Sequence, residues 1–455
     1  MSRSRYVSPF PRFQLSGQEE ADLHQLAGAL VASSLAEFES FTEEYDRLGN
    51  GTIDSKDWKF VREREKLRAY TGRSKRFHKS ASSSHPITST TTNNNKDPGG
   101  PGSVGKGSTA PSRAASMIAG ANQQNQHATD AMPVVLVVGA VQGSLDDMMY
   151  GIMNHSVDVA RVKNSYVDDM ETDLAVLAAL VTPTPALPYE SLTIKWAALE
   201  QKAVVRAVVK KRDFVYMEMT GMRTLARTGA RVGYHMVHSL HFPQTPELES
   251  CVRANLSIAA FCRASPSVAN EVQLCVRGVA DPGGSMLRVA AVGNMAAGFT
   301  SLWRNVECAN RKKLAWLMAS THSRSLSDGS GSGSGRESTL SAARADGAGT
   351  FCATCGKPPR VLAFSRGARR RRCGICTQYL CSSCRIKKTL SYIHAGTDAL
   401  VRRDLAFCSA CVLQARSLDS YKLAQHEAAT SYDHFHADAR VLAAGSSSGL
   451  SDQFQ

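Results

Sequence analysis

Eight cysteines near the C-terminal end of the chain constrain its fold more than any other feature of the 455 residues. Seventeen, four and 23 residues separate successive C-x-x-C pairs, which are Cys352/Cys355, Cys373/Cys376, Cys381/Cys384 and Cys408/Cys411. Two C-x-x-C turns supply the four thiolates of a tetrahedral structural zinc site, and they leave no position for a reactive water. We therefore predict that residues 352–411 bind two structural Zn²⁺ ions.

The spacing of the pairs also predicts how they are shared between the two ions. Only four residues separate Cys376 from Cys381, which favours interleaved sites. In that arrangement the first and third pairs hold one ion, and the second and fourth pairs hold the other. The remaining cysteines occur singly and are predicted to be small core residues: Cys251, Cys262, Cys275 and Cys308.

The N-terminal sequence has no apolar run typical of a signal peptide, so we expect a cytoplasmic chain with reduced thiols. The longest apolar run, at 134–141, is too short to cross a bilayer as a helix. Any contact with a membrane is therefore expected to be peripheral.

The cysteine-rich segment is strongly basic. Residues 350–418 contain thirteen Lys or Arg against Asp398 and Asp404, a net +11 of the total +14. Even after two zinc–thiolate centres remove about four charges, the field suits an anionic partner. Four consecutive arginines, Arg369 to Arg372, offer bidentate donors to phosphate oxygens. A nucleic-acid partner is not expected, because the segment lacks a base-reading element.

The cysteine spacing and the basic run before Cys373 resemble the FYVE zinc-finger family over the whole segment. The resemblance implies a small two-zinc cross-brace finger that binds anionic membranes, with endosomal phosphatidylinositol 3-phosphate as the family ligand. It implies headgroup contacts from Arg369, Arg370, Arg371 and Arg372, and a membrane-insertion loop at Val361, Leu362 and Phe364. The sequence departs from the family signature, because arginines replace both histidines and the tryptophan motif before Cys352 is missing. Selectivity for the 3-phosphate is therefore left open.

The larger N-terminal region has the pattern of an α+β domain. Ser16 and Glu19 have capping-box spacing ahead of an amphipathic helix over 16–45. A last helix with one apolar stripe is predicted over 286–318. Strands are predicted between these helices at 57–61, 67–70, 134–141, 192–196, 213–219, 232–240, 257–262 and 272–279.

This order of elements resembles a START-type lipid-binding domain of the kind found joined to a FYVE-like finger. The residues that carry the likeness are Asp57-Trp58-Lys59, Gly139, Gly143, Asp146, Tyr150-Gly151, Lys195-Trp196, Arg212-Asp213-Phe214, Thr220-Gly221-Met222, Gly233-Tyr234 and Lys313-Leu314. The resemblance implies a helix-grip fold, in which a curved antiparallel sheet and a long C-terminal helix surround a lipid ligand. Because a lipid cavity and a solid core have the same composition, the sequence leaves that choice open.

These observations predict the domain organisation and the class of function. Residues 10–319 form the START-like domain with a disordered insertion at 79–130, and a flexible Gly/Ser linker at 320–349 leads to the finger at 350–418. A weakly structured tail is predicted at 419–455. The function predicted is that of a peripheral membrane protein, which binds a lipid in the large domain and is recruited to anionic membranes by the finger. The alternative is an adaptor for protein partners whose finger no longer recognises phosphoinositide.

No motif of an enzyme is present, since the chain has no nucleophile elbow, P-loop or dinucleotide fingerprint. His235, His238 and His241 alternate along a predicted strand and do not converge on a fourth ligand. We interpret them as paired or surface histidines. The chain is therefore predicted not to be an enzyme.

Overall fold

The computed structural model describes ten stretches of the chain, at residues 8–47, 53–73, 132–167, 172–199, 210–284, 286–327, 351–358, 372–394, 397–430 and 436–437. Several predicted features lie outside these stretches, namely the insertion 79–130, the loop residues Val361, Leu362 and Phe364, and Arg369, Arg370 and Arg371. Among the helices in the described stretches, none is both long enough and apolar enough to span a bilayer.

A first helix, a series of strands and closing helices follow one another as the sequence predicts, and the structure adds two helices between the third and fourth strands that the sequence does not predict. The helices are α1 Gly17–Arg47, α2 Leu145–Ile152, α3 Val157–Val167, α4 Arg288–Thr300, α5 Arg304–Ser327, α6 Ser409–Arg416 and α7 Ser420–Thr430. The strands are β1 Trp58–Arg64, β2 Leu67–Gly72, β3 Val134–Gln142, β4 Thr172–Val181, β5 Ser191–Leu199, β6 Lys211–Thr224, β7 Arg231–Ser239, β8 Cys251–Arg253, β9 Asn255–Ala264, β10 Glu271–Asp281, β11 Ile386–His394, β12 Leu400–Phe407 and β13 His436–Ala437.

The first ten strands form one large sheet in the order β1-β2-β3-β10-β9-β7-β6-β5-β4, and β8 pairs with β6 off this path. Every neighbouring pair along the path is antiparallel. The last strand, β10, lies between β3 and β9, so the N-terminal strands are integral to the sheet. A large antiparallel sheet with helices confirms the α+β prediction, and each predicted strand overlaps an observed one.

Helix α1 covers one side of the sheet, here called the outer face. The predicted capping box is present, because the Ser16 amide donates to Glu19 Oε2 at 2.8 Å and the Glu19 amide donates to Ser16 Oγ at 3.3 Å. The buried side chains of the helix recur at helical spacing, and Phe38 stacks on Phe261 of β9 with ring centroids 4.8 Å apart. This packing encloses the outer-face core against β4 to β9.

Helices α2 to α5 cover the opposite side, here called the inner face. Helix α5 lies very close to α2 because residue 151 is a glycine. A Cβ atom there would stand 1.9 Å from the Asn305 carbonyl oxygen. The close approach brings Met148, Met149 and Tyr150 of α2, all fully buried, into the inner-face core.

The predicted single helix at 286–318 is wrong, because the structure has two helices joined by a 3₁₀ turn at Ser301–Trp303. The Thr300 hydroxyl donates to the Ala296 carbonyl oxygen at 2.7 Å, and the Ser301 hydroxyl donates to the Gly298 carbonyl oxygen at 2.6 Å. Hydroxyl groups that bond to the preceding turn bend helices, and glycine lowers the cost of the bend.

Two other boundaries also differ from the prediction. The linker predicted from residue 320 is helical as far as Ser327, because α5 continues beneath the cysteine-rich segment. The tail predicted from residue 419 contains α7 over Ser420–Thr430. A helix this short is marginal in isolation, and α7 is held by packing, since Leu423 and Ala424 join the inner-face core.

Candidate functional site

The structure gathers the eight cysteines into two groups of four. Cys352, Cys355, Cys381 and Cys384 form one group, and Cys373, Cys376, Cys408 and Cys411 form the other. Within each group the sulfur atoms all lie within 4.8 Å of one another. This grouping is the interleaved arrangement that the spacing predicts. None of the twelve cysteines of the chain forms a disulfide.

The geometry of both groups fits a tetrahedral metal ion. Cys355 Sγ lies 3.7 Å from Cys381 Sγ, and Cys376 Sγ lies 3.9 Å from Cys408 Sγ. A Zn–S bond of about 2.3 Å gives a tetrahedron whose sulfurs are about 3.8 Å apart. Each group can therefore hold a metal ion, and an all-cysteine donor set suits a structural role.

Local backbone structure positions the second group. Cys408 is the N-cap of α6, and its sulfur accepts the Cys411 amide at 3.3 Å. The Cys408 amide donates in turn to Cys373 Sγ at 3.4 Å. These N–H···S contacts point backbone donors at the sulfurs, which favours the thiolate form that a metal requires.

The cysteine-rich segment is not an independent unit, because it shares a core with α5. Leu314, Leu317 and Met318 of α5 pack with Cys352, Cys373 and Cys408 in one buried cluster. Polar bonds reinforce the contact at α3, where the Tyr166 hydroxyl accepts the Ser391 amide at 2.8 Å. The finger is therefore docked on the large domain through α3 and α5.

Part of the basic surface of the finger takes part in this docking. Lys388 pairs with Glu307 of α5 at 2.7 Å, and Arg402 donates to the Ser165 carbonyl oxygen at 2.6 Å. Arg372, the one predicted headgroup residue in the described stretches, is exposed and donates to the Thr377 carbonyl oxygen at 3.0 Å. Some basic side chains of the finger therefore bind the large domain, and others face the solvent.

A second candidate site lies inside the large domain, on the inner face of the sheet. Lys195 of β5 donates to Glu218 Oε2 of β6 at 2.6 Å, and both side chains are buried. Glu218 Oε1 lies 2.5 Å from His235 Nε2 of β7 and accepts from Asn154 Nδ2 at 2.9 Å. We call Asn154, Thr193, Lys195, Glu218 and His235 the inner polar cluster.

The charges of the cluster depend strongly on one another. Burial alone would raise the pKa of Glu218, but Lys195 and His235 bring it well below its usual range, so the carboxylate is ionised. Burial lowers the pKa of Lys195, and the attraction of Glu218 offsets part of this effect. Burial also lowers the pKa of His235. The pairing with Lys195 therefore favours the carboxylate form of Glu218.

Two polar atoms of the cluster lack a hydrogen-bond partner among the described residues. They are Asn154 Oδ1 and Thr193 Oγ1. Thr193 lies directly opposite Glu218 in the β5–β6 register, so both side chains are on the inner face. Most buried polar groups in proteins are satisfied, and those that are not often mark a place where a ligand or water binds.

Neither of the two best-formed openings in the described part of the chain reaches the cluster. One is a pocket of about 20 Å³ beneath α1, beside Phe38 and Arg263. The other is an open groove of about 580 Å³ between Ser144, Arg231 and Asn270. The inner face itself is filled by side chains of α2. A ligand on the inner face would therefore displace packed side chains.

Lys195 is among the residues that carry the family resemblance, and His235 is paired, as its pattern predicts. The sequence pattern does not single out Glu218 or Asn154. The available signal was alternation, because Tyr216, Glu218 and Thr220 place polar groups on one face of a buried strand. His238 is also paired, at 3.0 Å from Ser257 Oγ, and burial lowers its pKa to about 4.

Comparisons with known proteins give limited information. No family model matches the sequence, and no curated protein matches it. Among solved structures, the crystal structure of human STARD10 is 9% identical, covering 60% of this chain and 78% of that one, with a TM-score of 0.33. Human StAR-related lipid transfer protein 5 is 13% identical. The match covers 61% of this chain and 96% of that one, also with a TM-score of 0.33. The human StarD13 (DLC2) lipid transfer and protein localization domain is 12% identical. The match covers 59% of this chain and 95% of that one, with a TM-score of 0.31. Values this low decide neither a fold family nor a function.

Proposed function

We propose that the chain is a lipid-binding peripheral membrane protein with a START-like domain at 10–319 and a FYVE-type finger at 350–418. The lipid binds on the inner face of the sheet, with its polar end beside the inner polar cluster. Two Zn²⁺ ions stabilise the finger, which carries the chain to anionic membranes in the cytoplasm, endosomal membranes among them. We propose no catalytic activity for the chain.

One observation carries the lipid proposal. The buried Lys195–Glu218 pair, with unsatisfied polar atoms on Asn154 and Thr193, lies on the inner face of the sheet beside a large apolar core. Burying an ion pair costs several kcal/mol of desolvation, which an apolar core avoids. A polar site within an apolar enclosure suits an amphipathic ligand, since lipid-sized sites combine apolar walls with a few convergent polar groups. The direct test is whether the full chain, isolated from cells, carries a lipid.

The charge of the finger supports the membrane proposal. Each basic residue near an anionic leaflet contributes about 1 kcal/mol of attraction. The alternative of a protein adaptor is favoured by one observation, namely that Lys388 and Arg402 bind within the chain. The two functions differ in whether the remaining arginines bind lipid.

Replacing Arg369, Arg370, Arg371 and Arg372 by alanine is expected to weaken binding to anionic vesicles by up to about a thousandfold. Co-sedimentation of the full chain measures this, with vesicles of phosphatidylcholine alone, with phosphatidylserine, or with phosphatidylinositol 3-phosphate. The zinc content should stay at two per chain, which also checks that the loss of the Arg372–Thr377 bond leaves the finger intact.

The matched control changes the same four arginines to lysine, which keeps the charge and removes the bidentate donors. If the lysine variant binds phosphatidylserine vesicles normally but loses its preference for the 3-phosphate, the finger recognises the headgroup. Vesicle binding by the alanine variant at the level of the unmodified chain would favour the adaptor function.

A further inference from the structure

Helix α7 follows the second cysteine group and folds back over the large domain. Its Ser420 hydroxyl donates to Asp147 Oδ1 of α2 at 2.6 Å. Gln425 Nε2 donates to the Pro185 carbonyl oxygen at 2.8 Å, and Tyr421 packs edge-on against Tyr189 with ring centroids 5.6 Å apart. The helix therefore contacts both α2 and the loop between β4 and β5.

One side chain of α7 extends into the interior. Glu427 is fully buried, and its carboxylate accepts a hydrogen bond from the Tyr150 hydroxyl of α2. Lys312 of α5 lies over the Tyr150 ring, with Nζ 5.0 Å from the ring centroid. Burial lowers the pKa of Lys312, and the negative charge of Glu427 opposes that shift. Glu427 thus acts as a counter-ion for a buried lysine of the large domain.

This site adjoins the inner polar cluster. Lys312 donates to the Met153 carbonyl oxygen at 3.5 Å, and Lys195 donates to the next carbonyl, that of Asn154, at 2.6 Å. Both lysines therefore neutralise the same end of α2. Burial, together with the nearby positive charges of Lys195 and Lys312, lowers the pKa of His155 to about 3. The two sites form one continuous polar interior.

The large domain contributes an excess of positive charge to this interior. Lys163, Lys195 and Lys312 are buried there, and the charge of Lys163 acts on both of the others. The buried carboxylates at this place are Glu218, from the sheet, and Glu427, from α7. Lys313 is also buried, and it pairs with Asp147 at 2.5 Å. Without α7, the other three buried lysines would face one buried carboxylate among the described residues, that of Glu218, which favours entry of an anion.

Resting on the proposed lipid-binding function, we propose that Tyr150 and Lys312 form an anion-binding site for the headgroup of an anionic acyl lipid, and that Glu427 occupies this site until the lipid displaces α7. The ligand class is an acyl lipid whose polar end is a phosphate monoester or a carboxylate. The Glu427 carboxylate is likewise an anionic oxygen acceptor for the Tyr150 hydroxyl. Displacement of α7 would also remove a packed neighbour of α2, the helix that covers the inner face.

The energetics of α7 agree with a helix that can leave. It has eleven residues, a length at which an isolated helix is marginal, so it is held only by docking. Its buried carboxylate is costly to desolvate, and an apolar side chain at this position would pack without that cost. A lipid headgroup that takes over the contacts of Glu427 returns the carboxylate to water, which lowers the net cost of displacement.

Hydrogen exchange of the 420–430 amides in the full chain tests the proposal. Vesicles of phosphatidylcholine with phosphatidic acid, or with oleic acid, are expected to speed exchange across α7 by about tenfold or more, because a charge-assisted hydrogen bond is lost. Phosphatidylcholine vesicles alone should not. Inorganic phosphate without vesicles is the third arm, and release of α7 by phosphate alone would overturn the lipid as the occupant.

Variants make the test specific. Glu427→Gln keeps the shape but removes the charge, and it should raise both basal exchange of α7 and uptake of phosphatidic acid by about tenfold. Tyr421→Ala, which loosens α7 outside the interior, should act in the same direction if Glu427→Gln folds poorly. Lys422→Gln, on the exposed side of the same helix, is the control and should change neither quantity.

Failure of this inference is distinguishable from failure of the proposed function. Lipid uptake that is equal in the unmodified chain and in both loosened variants, with α7 still protected, would overturn the role of α7 and leave lipid binding in place. Absence of lipid uptake by every variant from every vesicle would overturn both proposals.

Discussion

The Cys408→Ser variant is expected to bind one zinc ion per chain instead of two and to lose about 5 kcal/mol or more of stability. Structural zinc sites contribute apparent binding free energies of about 10–16 kcal/mol, and that energy is folding energy because the site does not exist in the unfolded chain. The effect should extend beyond the finger. Cys408 belongs to the buried cluster that includes Leu314, Leu317 and Met318 of α5, so loss of the finger exposes one side of that helix.

Metal analysis and thermal unfolding of the full chain measure this prediction. Cys355→Ser, in the other group, should also remove one ion but cost less stability, because Cys355 is exposed and outside the shared core. Cys251→Ser is the matched control, since Cys251 belongs to neither group, and it should change neither the zinc content nor the unfolding temperature. Two zinc ions retained by the Cys408→Ser chain would contradict the assignment of the second group.

The Lys195→Met variant is expected to lose about 3–5 kcal/mol of unfolding free energy. It leaves the Glu218 carboxylate buried without its main cation, which is the costly way to break a buried pair. The double variant Lys195→Met/Glu218→Leu should recover most of the loss, because an apolar pair of similar volume has no charge to desolvate. Lys195 and Glu218 would then be maintained for the ligand and not for stability.

Denaturant unfolding with saturating zinc measures both variants. The control is Lys211→Met, which removes a lysine of the same sheet whose partner Asp173 lies 3.7 Å away and whose side chain is partly exposed. A pair of this kind contributes about 0–1 kcal/mol. If Lys195→Met costs no more than this control, the attraction between Lys195 and Glu218 is not the strong buried interaction that we expect.

The sequence predicts the cysteine groups because ligand chemistry is local. Each C-x-x-C turn forms half a site by itself, and spacer length decides which halves combine. The sequence also predicts helix α1, since Ser16 and Glu19 define its start and its apolar residues repeat at helical spacing. Both features depend on residues that are close together in the chain.

Other elements depend on partners that are distant in sequence. Strand β4 was not predicted, because its core sequence LAVLAALV is rich in alanine and leucine, which favour helix, and pairing with β5 decides its structure. The sequence predicts a weakly structured tail where α7 is observed, because the apolar residues of this segment are few. The surface that holds α7 is formed by α2 and the loop before β5, which are distant in sequence. Tertiary contact overrides local preference in both cases.

The inner polar cluster was the least predictable feature. Lys195 and Glu218 are 23 residues apart, and Glu218 and His235 are 17 residues apart, so only the strand register brings them together. The predicted contacts of Val361, Leu362, Phe364 and the arginines stay predictions, as do the endosomal location and the absence of enzyme activity. The docking of the finger on α5 could not be foreseen, because a linker was expected where α5 continues.

We propose above all that one lipid molecule binds on the inner face of the sheet. The most direct measurement is native mass spectrometry of the full chain purified from cells, with the extracted lipid identified separately. We expect a mass of the chain with two zinc ions and one acyl lipid, and no lipid on the Lys195→Met/Glu218→Leu chain. A chain that carries two zinc ions but no lipid, and that takes up none from mixed anionic vesicles, would contradict the claim.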